Sequence, residues 1–388
     1  MNKVLYVGYP SFPKGLAQVQ RQLLIAKGLV EQGCQVLVLN QYGTHNKNVD
    51  YHIKTTGIFE GVDYIYCSGT PFRPDNFIQR NLLKIKGFFV EIKTIVTERF
   101  KNKANTIIIT SNSFRGVFFY TLIAKILNIT SVVDQVEYWS EHQSGKKRRI
   151  DSYLNDKYYG LLSDRVIVIS NFLLSKLKEN QPKTPVIKIP AICDFSKFVN
   201  HSAKSDRTQY FLFCGSAAYF EVIKFIVDSY ARVVSQAALI LVISGEKVWI
   251  DRVNNYIDEK NIKKISIKSN IEYSELVSLY KNSLALLIPL RPSIQDIARF
   301  PHKLGEYTAS KRPIISTNIG EVKVYFRDGI NAFLSDSYEI GSFSKKMQEA
   351  VDFSNKREEI AHQSFETGEK EFSYQKNMAR LYQFLFKN

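Results

Sequence analysis

The sequence predicts an α/β protein of two doubly wound, Rossmann-like domains. Three observations lead there. Short apolar runs alternate with helical patterns up to residue 186, the rhythm breaks in a stretch of proline, serine and mixed charge near 195–207, and a second alternating series then begins. Strand–helix alternation argues for a parallel sheet with helices on both faces. A chain of 388 residues suits two domains of ordinary size.

The elements follow in order. "KVLYVGY" reads as a buried strand, "LAQVQRQLLIAKGLVEQG" as a helix closing at Gly33, and "QVLVLNQY" as the next strand. "TIIITSNS", "ITSVVDQ" and "RVIVIS" are later strands, with helices over 115–127 and 151–162 between them. The second series runs "YFLFCGS", a helix through 220–235, "ALILVISG", a helix through 248–259, "KISIKS", "LALLIPL" and "RPIISTN". The last helix carries Phe372, Met378, Leu381, Tyr382, Phe384 and Leu385, an apolar face that needs a surface to cover. The expected domains are 1–197 and 198–372, with 373–388 as a terminal helix.

Hydrophobic residues make up 45% and charged residues 23%, which excludes global disorder. The four cysteines are far apart and form no C-x-x-C pair, so neither zinc nor redox chemistry is suggested. The start runs directly into a strand pattern, and no apolar run reaches the length of a membrane span. The expected location is cytoplasmic, with peripheral attachment to the inner face of the cell membrane as the alternative. The formal net charge of +16 calls for an anionic partner. No helix-turn-helix, RNA-recognition or zinc-finger pattern is present, so nucleic acid is not expected. Basic residues cluster at Lys146, Lys147, Arg148 and Arg149 and across 80–103, where Leu82, Leu83, Ile85, Phe88, Phe89, Ile92 and Ile95 fall at helical spacing. That amphipathic helix reads either as core-facing with a solvated basic face or as a contact with an anionic membrane surface.

In open α/β sheets, ligands sit outside the carboxyl ends of the strands. That rule selects the loops after "KVLYVGY", "SVVDQ", "YFLFCGS" and "LALLIPL"; the fourth leads into "RPSIQDIARFPHKLGEYTASKRPIISTN". Pro301 suits a helix start, and backbone N–H groups near His302 to Leu304 would offer a docking place for a diphosphate. Lys303 and Glu306, at i and i+3, share one face. Lys303 is placed to meet phosphate and Glu306 to accept from ribose hydroxyls. From spacing alone, a plain ion pair on a solvated face is the favoured reading.

"RFPHKLGEYTASKRPIISTNIGEVKVYFRDGINAFL" resembles the donor site of glycosyltransferase family four, retaining enzymes of the GT-B fold. "YPSFPKGLAQVQRQLLIAKGLVEQGCQVLVLN", "SDRVIVISNFLLSKL", "PVIKIPAICDFSKF" and "FLFCGSAAYFEVIKFIVDSYARV" resemble other segments of that family in the same order. The resemblance implies two domains facing across a cleft, with the terminal helix returning to the first. It implies Glu306 as the ribose ligand, and Phe300, Pro301, His302 and Lys303 as the segment whose amides face the diphosphate. Gly15 matches the glycine loop, Gly215 and Ser216 the turn beside the nucleotide, and Asp134 and Glu137 the acceptor-side strand end. The chain departs from the family at Ala298, where the first glutamate of E-x7-E would fall, with Asp296 two positions early. Ser216 stands where arginine is common, and Val136 where a histidine often stands, with His142 the nearest. These departures shift the basic work to Lys303 and Arg299. The expected catalytic residues are Lys303, Glu137 and Asp134, and the expected donor contacts run from Arg299 to Leu304 with Glu306, Gly215, Ser216 and Gly15. No D-x-D exists, so no metal and no cofactor beyond a UDP- or GDP-linked donor is expected. The implied activity is retaining transfer from a nucleotide sugar to a glycan or lipid-linked acceptor in cell-surface polysaccharide synthesis. A sugar-nucleotide epimerase and a catalytically inactive donor-binding relative share the same fold and stay open.

Overall fold

The computed structural model describes residues 2–47, 52–138, 140, 145–199 and 209–387. His142 and most of the joining stretch lie outside them. The chain forms two compact units, Met1–Ile192 with Tyr374–Asn388, and Cys193–Ser373.

Unit 1 runs β1 (Lys3–Val7), α1 (Ala17–Glu31), β2 (Gln35–Asn40), β3 (Thr56–Phe59), β4 (Val62–Tyr66), α2 (Phe77–Phe100), β5 (Thr106–Ile109), α3 (Phe114–Ile126), β6 (Thr130–Gln135), α4 (Lys146–Leu162), β7 (Arg165–Val168), α5 (Asn171–Asn180) and β8 (Val186–Lys188). Unit 2 runs α6 (Ser196–Val199), β9 (Tyr210–Ser216), α7 (Phe220–Tyr230), β10 (Ala238–Ser244), α8 (Lys247–Lys260), β11 (Ile265–Lys268), α9 (Tyr273–Asn282), β12 (Ala285–Ile288), α10 (Ile294–Ala298), α11 (Lys303–Ala309), β13 (Ile314–Thr317), α12 (Val322–Tyr325), β14 (Phe333–Ser335), α13 (Ile340–Asp352) and α14 (Ser354–Phe372). The chain then re-enters unit 1 as α15 (Tyr374–Phe386).

The sheet of unit 1 has the order β3-β4-β2-β1-β5-β6-β7-β8, parallel except for the edge strand β3. β3 and β4 form a hairpin whose turn, Glu60-Gly61, has both residues at positive φ, the geometry that matches strand twist. Right-handed crossovers place α1 on one face and α2 to α5 on the other. β1, β2, β5, β6 and β7 are buried on both faces, which is why they read as continuous apolar runs. α15 packs on α1, and Tyr374, Met378, Leu381 and Leu385 join the core. A Cβ on Gly28 of α1 would lie 2.2 Å from the Met378 side chain, so only glycine admits this approach.

The sheet of unit 2 is wholly parallel, in the order β11-β10-β9-β12-β13-β14. Reversal of strand order on either side of β9 and β12 creates a switch point at their carboxyl ends. α14 braces α11 through Gly368, where a Cβ would meet Thr308 Oγ1 at 2.1 Å. No helix among the described residues is long and apolar enough to cross a membrane.

α2 corrects one expectation. Its buried residues are Gly87, Glu91 and Ile95, whereas Leu82, Ile85 and Phe89 are exposed. The helix turns Gly87, the Glu91 carboxylate and Ile95 inward with Leu83, Phe88 and Ile92 half-buried, and a second apolar stripe points out. Glu91 accepts hydrogen bonds from Gln41 Nε2 at 2.9 Å and Tyr120 Oη at 3.0 Å. Burial pushes its carboxyl up to about 7 against those two donors. The folded form therefore holds a proton that the unfolded form loses near pH 4.3, and stability falls as pH rises from there towards 7. Glu91→Gln is expected to remove a penalty of roughly 2–4 kcal/mol at pH 8 that shrinks to about 1 kcal/mol at pH 5. Urea unfolding of both proteins at the two pH values checks this, and a pH-independent difference between them would refute it.

Candidate donor and acceptor sites

The carboxyl ends of β9 and β12 are tied together by side chains. β9 ends in Gly215 and Ser216, and Ser216 Oγ accepts from Ala218 N at 3.3 Å to set the turn into α7. Just before it, Cys214 N donates to Tyr307 Oη of α11 at 3.2 Å. Just after it, Tyr219 Oη accepts from Arg299 Nη1 at 2.8 Å, with the guanidinium also over the Tyr219 ring. The segments 291–299 and 303–307 thus flank the turn at 215–216.

Glu306 sits on α11 opposite α9. One carboxylate oxygen accepts from Tyr273 Oη at 3.3 Å, and the other from Tyr280 Oη at 3.3 Å and Lys303 Nζ at 3.1 Å. Tyr273 and Tyr280 are seven residues apart and so share a helix face. Burial, and then the Glu306 charge, raise both phenols well above their ordinary value, so each stays protonated and donates. Burial works against the Lys303 ammonium, but the Glu306 carboxylate outweighs it and holds the lysine charged. The i, i+3 ion pair therefore exists, in a half-buried aromatic frame and not on a solvated face; the Lys303 and Glu306 side chains are 32% and 19% exposed. A carboxylate has about four acceptor positions, so three donors leave Glu306 room for another.

Asp296 does not stand in for the missing glutamate of E-x7-E. Its side chain is fully buried and accepts from Arg291 N and Nε, both at 2.9 Å, from Arg291 Nη2 at 3.1 Å and from Arg299 Nη2 at 2.7 Å. Burial alone would raise its carboxyl, but the two guanidinium groups hold it below the usual range. Asp296 sets Arg299 beside Tyr219 and brings in Arg291, which the sequence reading missed.

The segment Phe300–Leu304 is partly enclosed by the unit's own packing. The Phe300 ring stacks on Tyr325 at 5.4 Å, with interplanar angle 2°, and meets Phe372 edge-on. Leu304 is buried, and its N–H donates to Pro301 O at 3.0 Å. That N–H is closed by a tight turn and is not open to a diphosphate. Pro301 and His302 are half-buried in the turn that opens α11.

In unit 1, Asp134 lies at the end of β6 in a buried ion pair. Its fully buried carboxylate is gripped by Arg21 Nε at 3.0 Å and Nη2 at 2.9 Å, and accepts from Tyr6 Oη at 3.4 Å. Arg21, equally buried, also donates to Pro190 O at 2.8 Å and Ile189 O at 3.1 Å. Glu137 lies just past β6, half-exposed, and Gly15 lies in the loop before α1. A cleft of about 370 Å³ at the carboxyl ends of β1 and β5 is lined by Gly8, Tyr9, Tyr42, Arg115, Arg148 and Asp151 among others. Among the described residues, no three His, Cys, Asp or Glu side chains gather in a way that could hold a metal.

Residues 194–367 match the family described as Glycosyl transferases group 1, a span that falls within unit 2. Unit 2 is similar to group 1 glycosyl transferases over nearly its whole length. The whole chain has the GT-B fold. It is similar over 100% of both chains to sucrose-phosphate synthase from Thermosynechococcus elongatus, with TM-score 0.77 and 14% identity. It is likewise similar, over 100% of both chains, to HepE of Anabaena in complex with UDP and glucose, with TM-score 0.72 and 12% identity. A curated relative, the uncharacterized glycosyltransferase MJ1178 of Methanocaldococcus jannaschii, is 21% identical over 221 residues, which is 57% of this chain and 58% of the relative. The match thus spans somewhat over half the length of that relative. Within the span that matches the family, Glu306 and Lys303 lie on α11, the segment expected to meet the nucleotide.

Proposed function

We propose that this chain is a retaining glycosyltransferase that moves a sugar from a UDP- or GDP-linked donor to a glycan or lipid-linked acceptor in cell-surface polysaccharide synthesis. One observation carries the reading: the Lys303–Glu306 pair, framed by Tyr273 and Tyr280, beside the β9 turn of a unit similar to group 1 glycosyl transferases. In this reading Glu306 accepts from the ribose hydroxyls. Lys303 and Arg299 oppose the negative charge that develops on the leaving diphosphate, an electrostatic role of the oxyanion-hole type. Arg291 and Asp296 hold Arg299 in place. The relative crystallised with UDP and glucose supports a nucleotide-sugar donor of this kind.

Ala298, fully buried, favours a second reading in which the chain binds donor without turnover, because no carboxylate stands there. Incubation with radiolabelled UDP- and GDP-sugars plus lipid-linked or soluble glycan acceptors separates the two. Label is expected in the acceptor; donor binding with no label transferred to any acceptor supports the second reading, and interconversion of the free donor would point to an epimerase.

A further inference from the structure

The outward side of α2 is an unpartnered apolar stripe. Ile78, Leu82, Ile85, Phe89, Val96 and Phe100 are all exposed, and they recur every third, fourth or seventh residue along one side. Leu82 is 61% and Phe89 64% exposed. α3 repeats the pattern with Phe118, Leu122 and Ile126, four residues apart and exposed. The helices are neighbours on the same face of the sheet, joined by Phe88 stacked on Phe119 at 5.0 Å and by Tyr120 bonded to Glu91. Single exposed apolar residues are ordinary, but two adjacent stripes make a patch of the kind that marks an interaction surface.

Charge identifies what covers it. Every exposed charged residue from 77 to 126 is basic: Lys84, Lys86, Lys93, Lys101, Lys103, and on α3 Arg115 and Lys125. The only acids in that span are Glu91, buried, and Glu98, paired with Lys3. The first turn of α4, which packs on α3, adds Lys146, Lys147, Arg148 and Arg149, all exposed. Four cations at a helix amino terminus oppose its dipole, so helix stability does not explain them. Large apolar side chains interleaved with lysines on a helix lying along the surface fit the boundary between headgroups and acyl chains of an anionic bilayer. The cleft at the carboxyl edge of unit 1 borders this surface, since Lys84 lies over the ring of its lining residue Tyr42 and Arg115 and Arg148 line it directly.

We infer that α2 and α3 dock on an anionic membrane by inserting their apolar stripes, with the lysines engaging headgroups, so that the unit 1 cleft opens at the lipid surface. This deepens the reading of a lipid-linked acceptor. The assay needs neither donor nor turnover, so the two readings fail separately.

The test is co-sedimentation of the full chain with phosphatidylcholine vesicles with and without phosphatidylglycerol. Binding is expected only with phosphatidylglycerol and should weaken as salt rises. The surface variant Ile78/Leu82/Ile85/Phe89→Ser should lose at least tenfold in partitioning while keeping its melting temperature. Lys84/Lys86/Lys93/Lys101→Gln should lose a similar factor and most of the salt dependence. Absence of binding at low salt, equal binding to neutral vesicles, or unchanged binding by the serine variant overturns the inference. A dimer in sedimentation velocity that the serine variant abolishes, without vesicle binding, would assign the surface to a second copy of the chain instead.

Discussion

Replacing Glu306 by alanine is expected to weaken binding of the nucleotide-sugar donor at least tenfold. The carboxylate is held by two phenols and Lys303, so its position is fixed before a ligand arrives. A hydrogen bond to a charged group contributes about 1.5–3 kcal/mol, and ribose offers two hydroxyls to one carboxylate. Loss of even one such bond amounts to roughly tenfold in affinity. Alanine also strips Tyr280 Oη of its acceptor in a buried place, so Glu306→Gln serves as the second variant, keeping an acceptor for the phenols while removing the charge. Lys303→Ala should act differently, weakening nucleoside diphosphate more than nucleoside. Calorimetry with UDP, GDP and the matching nucleosides reads these differences. Unchanged nucleoside-diphosphate affinity in both Glu306 variants would remove the residue from the donor site.

Most strands were legible because strands buried on both faces are written as apolar runs, and "TIII" or "ALLI" has little else to be, whereas the short β3, β4, β8 and β14 were not read as strands. The position of Lys303 and Glu306 on one short helix was legible for the same kind of reason, since i, i+3 spacing fixes a shared face. Their surroundings were not. Tyr273 and Tyr280 are brought to Glu306 by tertiary packing of α9 against α11, and nothing local links the two segments. α2 shows a different limit. Its 3.6-residue period was visible, but a period does not say which side faces in. Gly87 settles it, because a Cβ there would lie 1.9 Å from Gln41 O, and that approach turns Leu82, Ile85 and Phe89 outward. Arg21 hid inside an apolar helical pattern, "VQRQLL", where a guanidinium is out of place unless a buried carboxylate waits for it. That carboxylate is Asp134, 113 residues along the chain, and nothing local links the two.

That pair carries the second large expectation. Asp134→Ala should destabilise unit 1 by about 3–5 kcal/mol, because breaking a buried ion pair leaves an uncompensated charge that water cannot reach. For a unit of this size the loss corresponds to a fall of roughly 6–20 °C in melting temperature, at about 2–4 °C per kcal/mol. Arg21→Ala should cost a similar amount, and it also releases the carbonyls of Ile189 and Pro190, so the end of β8 loosens with it. Replacing both residues with apolar side chains of similar volume should recover much of the loss, since the desolvation cost of the pair disappears with its attraction. That rescue distinguishes scaffold from catalyst. A structural pair is restored in melting temperature by Arg21→Met/Asp134→Leu, with donor affinity in unit 2 unchanged throughout. If Asp134→Asn keeps the wild-type melting temperature and abolishes sugar transfer, the carboxylate belongs to the chemistry and its burial with Arg21 has to be broken in the reacting state.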